Sequence, residues 1–362
     1  MGVVVVGGGL AGLTAADLLH AAGVPVQVIE GRDFVGGRTM TVRPEGLPEG
    51  AWFDVGATWH WTDQPRMQAL ARELGVDVFP QYRTGRAVVE SEPGSRPEAV
   101  DIPPPDPGEL RFVGGAQGVC ERLAERLPPD AISLGTAVVA VEAMGAGLDV
   151  NVVKPDGDGA DVHADQVVMA LPPRLLVDTI AFTPELPDDV LEVIKATSTW
   201  MAHALKCVAV YESSFWRDDG RSGLALSQPG CGALAEVHDG CDADGSVAAL
   251  WGFMSGHHEI RDLSFDDRLE HVFGHLGRLF GPQAADPLRY FERDWSTDPY
   301  TADEVVWVQE EAPYGHPALH QPLLGGRLLL AGTETATEGG GHMEGAVQSG
   351  QRVAAQVLAA LR

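Results

Sequence analysis

The sequence predicts an α/β protein in two parts. One is a discontinuous Rossmann-like dinucleotide-binding domain; the other is a smaller α+β domain with a mixed or antiparallel sheet. Three observations carry this prediction. A complete strand–helix–strand unit, joined by a glycine-rich turn, occupies the first 30 of 362 residues. The pattern changes near residue 174 into widely spaced strands and one long amphipathic helix. After residue 320 the chain returns to a buried strand, a glycine-rich loop and a final helix. The expected division is therefore 1–75, 112–173 and 321–362 for the nucleotide domain, and 76–111 with 174–320 for the second.

Each element follows from a local pattern. Four valines, Val3–Val6, run straight into Gly7-Gly8-Gly9-Leu10-Ala11-Gly12 and read as a buried strand. A helix follows, with Leu13, Leu18 and Leu19 on its apolar face and Gly23 at its end. The second strand, residues 26–29, stops at Glu30. Residues 66–74 read as a helix closed by Gly75. The stretch 84–109 is rich in Pro, Glu, Gly and Ser and reads as an exposed connection. Its Glu90, Glu92, Glu98 and Asp101 suit either a solvated linker or a lid over a cation. A helix is expected near 116–127, a hairpin over 138–142 and 148–153, and a buried strand over 166–171 stopped by Pro172-Pro173. Strands at 205–211 and 248–254 and a helix at 264–280 mark the second domain. A strand at 327–331 and a helix at 344–361 close the chain.

Composition excludes several classes of function. The chain is 44% hydrophobic and 21% charged, a globular balance. With 25 basic and 52 acidic residues the formal net charge is −27, which opposes binding to nucleic acid or to an anionic membrane surface and favours a cationic small molecule. No apolar run approaches the ~18–20 residues needed to span a bilayer. The N-terminus has no signal-peptide pattern. Cys120, Cys207, Cys231 and Cys241 have no CxxC spacing, so neither a metal site nor a dithiol motif is expected, and reduced cysteines suit a cytoplasmic protein.

Gly7, Gly9 and Gly12 form a GxGxxG pattern between a strand and a helix, and Glu30 lies 18 residues beyond Gly12. The glycines admit a pyrophosphate to the backbone, the helix N-terminus attracts its charge, and Glu30 is placed to accept hydrogen bonds from ribose hydroxyls. Downstream, Gly36-Gly37-Arg38 supplies a second phosphate-facing turn and a cation. NAD domains do not need this element, and it points to FAD.

The run GGGLAGLTAADLL…VQVIEGRDFVGGRT resembles the N-terminus of the flavin-containing amine oxidases, the monoamine and polyamine oxidase superfamily. The likeness recurs in family order at residues 53–59 (FDVGATW), 112–115 (FVGG), 171–173 (LPP), 215–217 (FWR), 294–295 (DW), 332–335 (GTET) and 343–346 (MEGA). It implies an FAD-dependent oxidoreductase that oxidises the C–N bond of a small amine, passes a hydride to flavin N5 and is reoxidised by oxygen. It also implies roles by position. Glu30 would hold the adenosine ribose, Gly37 and Arg38 would lie at the pyrophosphate, and the backbone of Val138 would lie at the adenine. Thr333 and Glu334 would meet the ribityl–pyrophosphate chain. Met343 would open the last helix beneath the isoalloxazine, and Trp295 would lie at the flavin.

Departures from the family pattern qualify these expectations. The family's flavin-linking cysteine is Glu304 here, so FAD is expected to be non-covalent. The two tyrosines of its aromatic cage are Val305 and His342. Trp59 and Trp307 are the residues from which a replacement wall would come, against the plainer reading of core tryptophans. The family's water-holding lysine falls at His258, which becomes the expected proton-managing group. Lys206 is expected instead to pair with a carboxylate. The short connection before residue 112 implies an open cleft, or a homodimer in which a second subunit supplies the roof. A desaturase on the same scaffold, or a flavin-binding protein without catalysis, remains as the alternative.

Overall fold

The computed structural model describes residues 2–48, 50–254, 259–302 and 313–361. Val3–Val6 is buried along its whole length, as a central parallel strand covered on both faces must be. It pairs in parallel with Val26–Ile29 on one side and with Gln166–Met169 on the other. Ile132–Ser133 and Leu328–Leu330 extend the sheet at its two edges, also in parallel. Across the sheet the order is 132–133, 26–29, 3–6, 166–169, 328–330. The chain therefore builds outward in one direction from Val3–Val6 and later in the other, and such a switch point leaves a crevice at the carboxyl ends of the strands.

Two helices cover one face of this sheet. Leu10–Ala21 and Met343–Ala360 bury Leu13, Leu19, Val347, Val353 and Val357 in a common core with Val3 and Val5. They approach so closely that a Cβ on Gly350 would lie 2.5 Å from the Ala11 carbonyl oxygen. The opposite face, through Val4 and Val6, meets a four-stranded sheet of residues 137–144, 147–153, 159–164 and 181–183. Glu344 links this layer to a third helix. Its carboxylate accepts the Arg66 and Met67 N–H groups at 3.1 and 2.8 Å, capping the N-terminus of Pro65–Glu73.

The second large sheet has seven strands in the order 289–294, 205–211, 248–254, 234–239, 221–227, 86–90, 98–100. Every pairing is antiparallel except that of Arg221–Ser227 with Arg86–Glu90. On one face lies the helix Phe265–Phe280, capped by Ser264, whose hydroxyl accepts the Asp267 N–H. On the other face Val208, Val210, Ala249 and Trp251 bury Ala51, Phe53 and Val55.

Three expectations are corrected here. Residues 84–109 are not merely an exposed connection: Arg86–Glu90 is a strand of the seven-stranded sheet, with Ala87, Val88 and Glu90 buried. Its Pro- and Gly-rich flanks hide a run of only five residues. Glu90 is no part of a lid, because its Oε2 lies 2.9 Å from His275 Nε2 in the interior. The expected boundary at residue 174 is displaced. Leu176, Ile180, Leu186, Val190 and Ile194 pack with Val4 and Val6, so the helices Pro173–Thr179 and Asp188–Ala196 belong to the nucleotide half. The boundary at 75/76 cuts a small sheet in which His60–Trp61 and Val78–Pro80 both pair with Glu109–Phe112. All four cysteines are buried and free. Among the described residues no helix is long and apolar enough to cross a membrane.

The first glycine turn tolerates little change. Gly7 adopts φ 105°, a conformation that favours glycine. A Cβ on Gly12 would lie 2.0 Å from the Gly7 carbonyl oxygen and 3.1 Å from Ala170 Cβ. Gly12→Ala is therefore expected to destabilise the protein by about 1–3 kcal/mol, despite alanine's better helix propensity. A urea titration of the two proteins checks this, and an unchanged midpoint would contradict it.

Candidate functional site

The crevice at the switch point is a cleft of about 430 Å³. Its floor is the carboxyl ends of the parallel strands and the turns that leave them: Gly7 and Gly9, Glu30, Ala170–Pro172, and Gly332 with Thr333. Its far wall comes from the seven-stranded sheet, through Lys206, Trp251 and Phe253, and from Trp295 just beyond the end of its edge strand 289–294. The helices Leu10–Ala21 and Met343–Ala360 both begin at the cleft, so two positive helix ends face one space.

At the nucleotide end Glu30 is buried, with both carboxylate oxygens engaged. Oε2 accepts the Gly8 N–H at 2.6 Å, and Oε1 accepts the Arg32 N–H at 2.9 Å. Arg32 extends to Asp298 and Thr301, at 2.5 and 2.9 Å, and stacks over the Tyr300 ring. Tyr300 and Thr301 thereby close this end of the cleft. The second glycine turn touches the first through a bridge between Gly9 and Gly36. A Cβ on Gly9 would have only the Gly36 carbonyl oxygen near it, at 3.9 Å, and one on Gly37 would meet Gly9 Cα at 3.6 Å. The two turns thus leave a cradle without side chains, flanked by Arg38 and two helix ends. That shape and charge fit a pyrophosphate.

Arg38 lines the cleft, and its guanidinium grips Glu334 with two parallel bonds, Nη1 to Oε1 at 2.6 Å and Nη2 to Oε2 at 3.1 Å. Burial works against its charge, but the Glu334 carboxylate outweighs it and holds the guanidinium above its ordinary pKa. Glu334 itself is wholly buried and outside the cleft lining, and its carboxylate meets Arg38. Thr333 lines the cleft and donates to the His342 carbonyl at 2.6 Å. Met343 lines it as the first residue of the last helix. Val138 lies outside the lining, in a strand of the four-stranded sheet, beside a register shift between Val138 and Ala140. Gly12 sits beneath Gly7 and also does not line the cleft.

The far wall is aromatic. Trp295 is buried and donates from Nε1 to the Val55 carbonyl at 2.9 Å. Trp59 lines the cleft and donates to Gln81 Oε1 at 2.9 Å; its ring meets Trp251 at a centroid distance of 4.8 Å. Behind them His238 packs against both indoles, at 4.6 and 4.5 Å. Arg83 Nη1 lies 2.9 Å from its Nδ1. A guanidinium can only donate, so Nδ1 accepts and the proton sits on Nε2, 2.7 Å from Glu236 Oε1. Burial pushes the His238 pKa down to about 4, consistent with this neutral ring. His342 lines the cleft between Trp61 and Trp200, at centroid distances of 5.0 and 5.9 Å, and burial lowers its pKa as well.

Lys206 is the largest departure from the sequence reading. It is almost wholly buried, and its bonds are to neutral acceptors rather than to a carboxylate. Nζ donates to the Gly56 carbonyl at 2.9 Å and to Thr58 Oγ1, and lies 3.9 Å from the centre of the Trp251 ring. Burial lowers its pKa to about 7; the negative charge of Asp54 opposes that shift through space, and Arg111 adds to it. The available signal was a lysine inside the otherwise apolar strand Leu205–Tyr211. Trp61, Trp200, Phe253, Tyr300 and Thr301 were also missed, since no local pattern marks them. His258, Glu304, Val305 and Trp307 lie outside the described residues.

Comparison with known proteins agrees with this geometry. The model of the family described as flavin containing amine oxidoreductase matches residues 10–106 and 105–358. The amine oxidase [flavin-containing] B of Sus scrofa is 27% identical, over 99% of this chain and 86% of its own length. A protein of Mycobacterium tuberculosis assigned as a flavin-containing monoamine oxidase, AofH, is 30% identical, over 99% and 97% of the two chains. Among solved structures, wild-type putrescine oxidase bound to putrescine aligns with a TM-score of 0.82 at 26% identity, over 99% of both chains. Cyclohexylamine oxidase from Brevibacterium oxydans IH-35A shares the fold, with a TM-score of 0.83 at 21% identity and the same coverage.

Glu30→Ala removes the acceptor for two backbone N–H groups and the group placed to meet a ribose. FAD affinity is expected to fall by about 10- to 100-fold, from the loss of hydrogen bonds to a charged acceptor. Equilibrium dialysis of the stripped protein against FAD measures it, and unchanged affinity would remove Glu30 from the site.

Proposed function

The chain belongs to the flavin-containing amine oxidoreductase family and is an FAD-dependent oxidoreductase; from that premise we propose that it holds FAD without a covalent bond and oxidises the C–N bond of a small amine in the cleft. When bound, the flavin supplies a two-electron acceptor, and oxygen returns it to the oxidised state with release of hydrogen peroxide. Water completes the balance: the oxidised amine becomes a carbonyl compound and ammonia leaves. The observation that carries this reading is the shared cleft, in which glycine turns and helix ends at the strand termini face a wall of Trp59, Trp251, Phe253 and Trp295.

The protein's own groups then divide the work. Glu30 binds the ribose, and the Gly9–Gly37 cradle with Arg38 binds the pyrophosphate. Glu334 holds Arg38 in one orientation, so the guanidinium meets phosphate pre-aligned. The N-terminus of Met343–Ala360 places partial positive charge at the cleft, where negative charge on a reduced ring would be stabilised. The indole wall excludes water and orients the apolar part of the amine. His258 remains the proposed proton-managing residue. Four buried, reduced cysteines and the acidic composition favour a cytoplasmic location.

Anaerobic addition of benzylamine or butylamine should bleach the flavin band, with NADH as a control that does not. A panel of amines, diamines and amino acids that all leave the band intact would defeat the reading. Acid or heat should release FAD into the supernatant, because Glu304 stands at the cysteine position; flavin retained on the precipitate would contradict the non-covalent site. His258→Ala should alter the reoxidation rate or its pH profile with FAD affinity intact, while His257→Ala should do little. Stopped-flow mixing with air-saturated buffer across pH 6 to 9 distinguishes them, and two variants identical to the parent would remove His258 from the mechanism.

A further inference from the structure

A buried amine stands in the wall of the cleft. Lys206 Nζ donates to the Gly56 carbonyl at 2.9 Å and to Thr58 Oγ1, and the centre of the Trp251 ring lies 3.9 Å away. Lys206, Gly56, Thr58 and Trp251 all line the cleft, so the nitrogen belongs to its wall although the residue is only 1% exposed. Holding the loop takes two N–H donors, and a neutral amine has two. An ammonium brings a third, for which no hydrogen-bond acceptor is placed among the described residues; the neutral amine has a lone pair there instead. The structural task of this lysine is therefore met without its charge.

The groups around Nζ leave both of its protonation states within reach. Burial lowers the Lys206 pKa to about 7 and Arg111 adds to that, while negative charge on Asp54 and the face of Trp251 favour the ammonium. Asp54 is itself buried, and burial raises its carboxyl above the ordinary value. Its Oδ1 accepts from Thr41 Oγ1 at 2.6 Å and from the Ala116 N–H at 3.0 Å, while Oδ2 has no hydrogen-bond partner among the described residues. The Cys207 thiol and the His238 ring are both held neutral by burial, and Arg293, opposite Lys206 on the neighbouring strand, is taken by Asp298. Above about pH 7 the amine is thus free to take a proton, and below it that capacity is lost.

We propose that Lys206 is the catalytic base that removes the proton from the substrate ammonium in the cleft. This rests on the amine-oxidising reading above. A small amine arrives as R–CH2–NH3+, whose nitrogen has no lone pair. Its proton passes to the Nζ lone pair, giving R–CH2–NH2 and the Lys206 ammonium. The freed lone pair forms the C=N bond as hydride leaves carbon for the flavin acceptor, and Lys206 returns its proton to water before the next turnover. Positive charge is only exchanged between substrate and lysine, so the cleft never holds two ammonium groups side by side. Lys206 thus serves the oxidation of the amine, whereas His258 is assigned to reoxidation.

The test follows anaerobic bleaching of the FAD-loaded protein by benzylamine in stopped flow, as limiting rate over Kd between pH 6 and 9. In the parent this ratio is expected to fall below about pH 7 and to stay level above it, up to the pKa of benzylamine in water. Lys206→Met should lose the limb near pH 7. At pH 7 its ratio should be lower by about 100-fold or more, and it should climb about tenfold per pH unit as free benzylamine becomes available. Lys206→Gln keeps N–H donors for the loop and should behave like Lys206→Met; parent-like kinetics in either variant would overturn the proposal. A parent ratio that itself climbs tenfold per unit would also overturn it, and needs no variant. Calorimetry with tert-butylamine, which has no C–H on the carbon bearing nitrogen and cannot be oxidised, counts protons released on binding at about pH 8. Near zero is expected for the parent, since the proton stays in the cleft, and about one for Lys206→Gln. Equal counts would overturn the assignment. If benzylamine leaves the flavin band intact but the counts differ in this way, the base stands and the oxidation reading falls. If benzylamine bleaches the band and the counts are equal, the base falls and the oxidation reading stands.

Discussion

The bond between Arg38 and Glu334 joins segments 296 residues apart, and the cleft depends on it. Arg38 belongs to the second glycine turn, Glu334 to the exit of the last parallel strand, and the main chain of Trp200 closes on both. Glu334 is wholly buried, so losing Arg38 would strand a charge in the interior, a far greater cost than the net worth of an exposed pair. Three turns that would otherwise be mobile connections are thereby held in one arrangement around the place where phosphate is expected. The carboxylate serves the site without entering it.

A second linkage runs between the two sheets. Residues 55–57 send their N–H groups to the carbonyls of Met40 and Arg38, and so belong to the nucleotide half. Their other polar groups are taken from across the cleft, Val55 by Trp295 and Gly56 by Lys206, which also bonds Thr58. The loop is thus gripped from both sides. A Cβ on Gly56 would lie 2.2 Å from the Arg38 carbonyl oxygen, so the fit depends on glycine there. The buried lysine accordingly has a structural reason to be present whatever its role in chemistry.

What was legible in the sequence was local. Val3–Val6, the glycine turn, Glu30 and the final strand and helix each declare themselves within a few residues, because a parallel strand and a helix N-terminus impose short-range patterns. The resemblance to amine oxidases was legible for the same reason, being carried by short blocks. What failed was set by tertiary contact. Arg86–Glu90 became a strand by pairing with Arg221–Ser227, over 130 residues away. Residues 173–196 joined the nucleotide half through the apolar faces of two helices, which composition alone does not assign. Lys206 was expected to find a carboxylate, the usual fate of a buried lysine, and found carbonyl, hydroxyl and indole partners instead. Glu334 and Arg38 were each expected near phosphate, but their mutual bond has no sequence signature.

The order of strands in the parallel sheet also bears on how the protein comes to be made. Val3–Val6 is synthesised long before one of its two neighbours, Gln166–Met169, and that strand in turn waits for Leu328–Leu330. During synthesis at about 5–20 residues per second, the valine strand can pair with Val26–Ile29 within seconds but keeps an open apolar edge until much later. Four consecutive valines with an unpaired edge are a template for misassociation with other chains. Parallel pairing at such sequence separation is also slow, because loop closure precedes any gain from the contact. The architecture that gathers distant turns around one cleft therefore makes the nascent chain a natural client for chaperones, and low temperature with slow expression should favour its soluble yield.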